Sequence, residues 1–169
     1  PIDEQLLAGA ACYGGLDLAS TSDIASFVLD FPNEPGESEH HTWLPFFWIP
    51  EENMVERARK DRVPYDAWVR DGLMRATPGN VIDYAWIIKD IESLGEKYNI
   101  REIAFDRWGA WQVSQQLEGA GFVMAGFGQG FVSMSPPTKE LLRLILDGKL
   151  SHGGNKVLRW MADNLVVSS

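Results

Sequence analysis

Two aspartates stand in stretches of sequence where an acid is costly. Asp17 interrupts the apolar run Gly14-Gly15-Leu16-Asp17-Leu18, and Asp106 closes the run Ile103-Ala104-Phe105-Asp106. An unpaired carboxylate buried among such neighbours is strongly disfavoured, so something must compensate it. If the two runs are neighbouring parallel strands joined through a crossover helix, both carboxylates reach one edge of a sheet. Two like charges that close repel unless a cation lies between them. An all-oxygen site of this kind suits divalent magnesium or manganese, and a pair of such ions supports phosphodiester hydrolysis by activating water and stabilising the leaving oxygen. Taken singly, a strand-end aspartate is more often a turn or helix cap than a metal ligand; the metal reading rests on the pair.

Other polar residues carry weaker signals. Asp23 reads as a turn residue after the first strand, Asp83 as a helix cap and Glu102 as a solvated strand residue. His152, followed by two glycines, either orders its loop or contacts DNA. Lys139, Arg143, Lys149, Lys156 and Arg159 form the one local concentration of base; contact with phosphates and a solvated helix face explain them equally. Cys12, alone of its kind, has no internal disulfide partner and reads as a buried structural thiol. The seven tryptophans read mainly as core, since stacking on bases requires exposure.

The elements that must position the two acids follow from periodicity and punctuation. Residues 11–18, 24–31 and 41–49 predict three strands, antiparallel in succession, the first entering a small polar turn at 20–23 and the third ending at Pro50. Residues 51–60 and 64–71 have helical composition, 73–77 predict a short strand, and 83–98 carry Ile87, Ile88, Ile91 and Leu94 at helical spacing behind Asp83. Residues 100–105 predict a buried strand ending at Asp106, 112–118 a helix stopped by Gly119 and Gly121, and 122–126 a further strand. Ser135-Pro136-Pro137-Thr138 is expected to introduce a helix over 139–147, with another helix over 155–164 and a strand starting at Leu165. The pattern is an α/β domain on a mixed central sheet, three antiparallel strands first and parallel additions after the crossover helix.

With 169 residues, 45% hydrophobic and 23% charged, the chain fits one globular domain and neither a disordered nor a fibrous class. No apolar run approaches the roughly 18 residues of a membrane span, and the first residues lack the basic flank of a signal peptide. The formal charge of −9 argues against a tight grip on nucleic acid through many phosphate contacts. No G-x-x-x-x-G-K-[ST] loop occurs, so the phosphate cradle of a P-loop ATPase is missing from these residues.

Several segments, in order along nearly the whole chain, resemble the nuclease half of the large terminase subunits of lambdoid-type tailed bacteriophages. They are Gly15-Leu16-Asp17-Leu18-Ala19-Ser20-Thr21-Ser22-Asp23, Val81-Ile82-Asp83-Tyr84, Ala104-Phe105-Asp106-Arg107-Trp108, residues 130–138, and His152-Gly153-Gly154-Asn155 with Leu158-Arg159-Trp160-Met161-Ala162. The resemblance implies a ribonuclease H-like fold and metal-dependent cutting of concatemeric double-stranded phage DNA during genome packaging in the bacterial cytoplasm. It also implies a packaging ATPase domain, a small terminase subunit and a portal as partners, and it carries the metal-binding role onto Asp17 and Asp106. The family's third metal carboxylate has no match; Asp163, the nearest acid, precedes its place, and residues 1–169 are expected to be one domain of a larger terminase, without its last helix. Lys156 stands where the family commonly has proline. Two other classes stay open at this point. An actin-like ATP phosphotransferase fragment would use Asp17 and the turn at 20–22 for phosphate but needs a second glycine-rich loop, and a noncatalytic module docking on portal or motor needs neither acid.

Overall fold

Along β1 (Ala11–Asp17) Cys12, Gly14 and Leu16 are buried while Tyr13, Gly15 and Asp17 are exposed, the period-two signature of a strand with one face covered. In the computed structural model, which describes residues 2–18 and 23–165, this strand lies inside a mixed sheet. β2 (Ala25–Pro32) pairs with it antiparallel, β3 (His41–Pro50) pairs antiparallel with β2, and β4 (Arg75–Thr77) adds parallel to β3. On the other side β5 (Asn99–Asp106) runs parallel to β1, and β6 (Met124–Phe127) runs parallel to β5. The order is β4-β3-β2-β1-β5-β6, with the short β7 (Leu150–Ser151) pairing parallel to the start of β3. The three antiparallel strands and the parallel additions agree with the sequence pattern.

The face carrying Cys12, Leu16, Phe27, Leu29, Trp48, Ile103 and Phe105 is packed by Ile87 and Ile91 of α3 (Tyr84–Lys97) and by Val113 and Leu117 of α4 (Trp111–Gly119). Asp83 begins α3 as expected, its carboxylate accepting from the Ala85 amide at 3.0 Å. The opposite face is covered only beside β3. There Phe47 and Ile49 join Tyr65 and Trp68 of α2 (Tyr65–Arg70) and Val157 of α6 (Lys156–Asp163), with α1 (Met54–Asp61) alongside. Trp160 closes this second core with rings 5.6 Å from Trp68 and 6.4 Å from Tyr65. The β1 and β5 part of that face stays open, and this is where Asp17 lies.

Two features stand apart from the sequence pattern. The helix expected over 139–147 begins eight residues earlier as α5 (Phe131–Leu146), with Pro136 and Pro137 inside it. Those rings remove two helical N–H donors, and the Thr138 hydroxyl donates to the Met134 carbonyl at 2.6 Å in the same turn. β7 was absent from the pattern because two residues carry no periodicity; His41 and Lys149 hold it by a backbone bond of 2.8 Å. The strand expected to start at Leu165 lies outside the described residues beyond Leu165 itself, which is exposed and in neither helix nor strand.

Candidate active site at the strand ends

The parallel register of β1 and β5 pairs Gly15 with Ala104 and Leu16 with Phe105. The next residue on each strand is an aspartate, Asp17 on β1 and Asp106 on β5. Adjacent strands lie about 4.8 Å apart, so the two acids leave the sheet side by side at its carboxyl edge, where ligands of open α/β sheets bind. Their charges feel each other. The Asp17 carboxyl is raised above the usual carboxylate range, first by partial desolvation and then by the Asp106 charge.

Asp17 is nonetheless an exposed residue. The acid expected to be buried in its strand belongs to the uncovered side of the alternation, over Gly15, above which a Cβ would meet nothing within 4 Å. Its cost is therefore milder than an interior carboxylate's, and what remains to be offset is partial desolvation and, after it, the neighbouring negative charge. No hydrogen bond or ion pair joins the Asp17 carboxylate to another described residue. Asp106, in contrast, is held: its Oδ1 accepts from the Trp108 amide at 3.1 Å, and its backbone carbonyl accepts from Gly109 and Ala110 at 3.2 Å each. This tight turn fixes the carboxylate and leads directly into α4.

Among the described residues no group of three or more His, Cys, Asp or Glu side chains is placed to hold a metal ion, so Asp163, exposed at the end of α6, does not complete a three-acid cluster. The turn at 19–22, with its hydroxyls, lies outside the described residues. Asp23 is exposed and its charge reaches Tyr65. Glu102 is exposed, as expected. His152 lies on a different part of the molecule, lining with Ile2 and Trp43 a cavity of about 720 Å³ along the β3 edge, its Nδ1 buried without a described partner. Of the basic cluster, Arg143 and Lys149 are taken up by acids: Arg143 pairs with Glu39, Glu140 and Asp147, and Lys149 with Glu39 and Asp147. Cys12 is fully buried and its thiol is pushed up to about 12 by desolvation and then Asp30, consistent with an inert structural role.

Sequence reasoning passed over two residues at this edge. Trp108 and Trp111 are 86% and 66% exposed, flanking the turn that Asp106 organises. The signal was available in principle: a tryptophan two residues after a strand-end acid, in a polar stretch, has no apolar period to join.

A mixed-sheet α/β domain with paired carboxylates at the ends of parallel strands is the class that fold and site define. The chain belongs to the endonuclease-domain family of terminase large subunits, whose family model matches residues 1–169. It is 38% identical over 159 residues to the terminase large subunit of Enterobacteria phage HK97, an alignment covering 92% of this chain and 31% of that protein. It is 28% identical over 163 residues to the protein YmfN of Escherichia coli K12, covering 94% of this chain and 36% of that protein. The crystal structure of the HK97 bacteriophage large terminase superposes with a TM-score of 0.79 at 34% identity, over 93% of this chain and 34% of that one. The chain thus spans about a third of the length of the curated relatives it matches. No helix among the described residues is long and apolar enough to cross a membrane.

Proposed function

We propose that this chain is a divalent-metal-dependent DNA endonuclease that cuts concatemeric double-stranded phage DNA during genome packaging, with Asp17 and Asp106 as metal ligands. The observation that carries the reading is the pair itself: two acids at adjacent parallel strand ends, in a chain of the terminase endonuclease-domain family. The fit to a metal rests on the donor set. Both side chains offer hard oxygen donors, Asp17 has no described cationic partner, and of the two causes that raise its carboxyl, desolvation first and the Asp106 charge second, a bound cation relieves the second. Magnesium or manganese held there would supply Lewis-acid activation of water and stabilisation of the departing oxygen, in a two-metal arrangement.

The chain's own part is to orient and to stay ionised. The Trp108 amide holds Asp106 in one rotamer, so one ligand is preorganised before any ion arrives. Asp17 must lose its proton to bind a cation, and its raised carboxyl makes that step compete with binding as the pH falls. In the whole protein we place double-stranded DNA, an ATPase motor domain, a small terminase subunit and a portal as the partners, and the host cytoplasm as the setting.

Nicking of supercoiled plasmid in manganese tests the proposal. Asp17→Asn and Asp106→Asn are each expected to reduce nicking by more than the roughly 10–100-fold that loss of a supporting group costs, and titration calorimetry should show manganese binding weakened in both. Nicking that survives in either variant, or proceeds equally in excess chelator, would remove the mechanism.

A further inference from the structure

Trp108 is the most solvent-exposed aromatic residue of the described chain, 86% open, yet the turn that carries it is tied to Asp106 by three backbone amides. Its own amide donates to the Asp106 carboxylate at 3.1 Å, and the two amides that follow donate to the Asp106 carbonyl. The backbone that carries this open indole is therefore fixed beside one of the two site acids. Burial does not explain it, because the apolar face beneath α4 is filled by Val113 and Leu117 instead. Trp111, one turn further at 66% exposure, widens the same aromatic rim.

We infer that Trp108 is a stacking platform for an unpaired or splayed-out DNA base next to the phosphate that the Asp17 and Asp106 site would hold. The inference rests on the nuclease reading and deepens it by naming how the strand is gripped. The net charge is −9, and Arg143 and Lys149 of the basic cluster are already paired to acids, so that cluster has two fewer cations to offer phosphates. Stacking supplies affinity without charge, because every base has a π-face, and one aromatic contributes about 1–3 kcal/mol per base. Within an intact duplex both faces of each base are covered by its neighbours, so the platform selects a strand that is frayed, nicked or flipped. Arg107, the residue before Trp108, adds a cation at the same strand end: its guanidinium lies along Gly128, so near that a Cβ there would sit 3.0 Å from Nη2.

The backbone amide of Trp108, not its indole, holds Asp106, so replacing the side chain leaves that bond in place and separates stacking from ligand positioning. The experiment uses a single-stranded oligonucleotide carrying 2-aminopurine, alone and annealed to its complement, with calcium and low salt. Wild-type protein should bind the single strand more tightly than the duplex and quench the 2-aminopurine. Trp108→Ala should weaken single-strand binding by about tenfold or more and abolish the quenching, Trp108→Phe should keep both within about threefold, and both variants should melt close to wild type because the site is open. Undetectable binding by the wild type, binding by Trp108→Ala within twofold of wild type, or equal losses for the Ala and Phe variants would each overturn the inference; the second of these would leave the indole as a protein contact. Plasmid nicking by Asp17→Asn reports on the metal site separately: stacking can fail while nicking depends on Asp17, and quenching can persist if nicking does not.

Discussion

The two site acids share an edge of sheet but not an environment. Asp106 is anchored by the amide of Trp108, while Asp17 faces open space over Gly15 and carries the raised carboxyl. A carboxyl whose folded value lies above its unfolded one binds more protons in the native state, so its contribution to stability is full below the unfolded value and lost as pH rises through the raised one. In metal-free buffer Asp17→Asn should therefore be slightly more stable than wild type at pH 7, by a few tenths of a kcal/mol because the group is exposed and screened. The advantage should vanish below about pH 4. Thermal melts across that range check the sign, and a variant less stable at pH 7 would mean that Asp17 makes favourable contacts that outweigh the repulsion. Manganese affinity should fall over the same interval, as protons compete for the Asp17 oxygen, which calorimetry at pH 5 and pH 7 would read.

At the scale of elements, β1 succeeds because its two glycines do different jobs. A Cβ at Gly14 would come within 2.6 Å of the Phe27 ring and 3.1 Å of Ile103, whereas at Gly15 it would meet nothing within 4 Å. The first glycine lets the central strand lie flat beneath a large aromatic; the second keeps the space beside Asp17 clear. Gly14→Ala should cost about 1–3 kcal/mol through overpacking, and Gly15→Ala should be neutral or stabilising by a few tenths through the unfolded chain. Urea unfolding of the pair distinguishes them, and equal effects would contradict the packing described. The carboxyl edge also depends on α4, whose first turn follows immediately from the Asp106 turn, so core packing by Val113 and Leu117 sets where Trp108 stands.

For the molecule as a whole, acidity decides how DNA can be held. Glu39, with its carboxyl drawn down to about 2 by hydrogen bonds from Arg143 and Lys149, ties the loop before β3 to the end of α5 and removes two cations from any phosphate path. Binding of single-stranded DNA should consequently show a shallow salt dependence, with log affinity against log salt no steeper than about −3, against roughly −10 for a protein with many phosphate contacts. Fluorescence anisotropy at several salt concentrations measures it, and a steep slope would show that Lys and Arg side chains other than Arg143 and Lys149 carry the strand.

How much of this was legible beforehand differs by residue. Asp17 and Asp106 stood out because an acid in an apolar run is costly wherever the run lies, and Asp83 because a cap depends only on the next turn; the helix at 84–97 and the first three strands followed from local periodicity. The two prolines of α5 misled, since their local preference for a helix start was overridden in context, and β7 was invisible because two residues become a strand only when His41 lies beside them. Sequence alone determined which residues are chemically expensive and which segments are helix or strand, because those depend on neighbours within a few positions. Only the tertiary structure decided that β1 and β5 are adjacent and in register, that Asp17 is on the uncovered face, that Arg143 and Lys149 are already paired, and that Trp108 is bare, because each depends on which distant segment fills the space beside it.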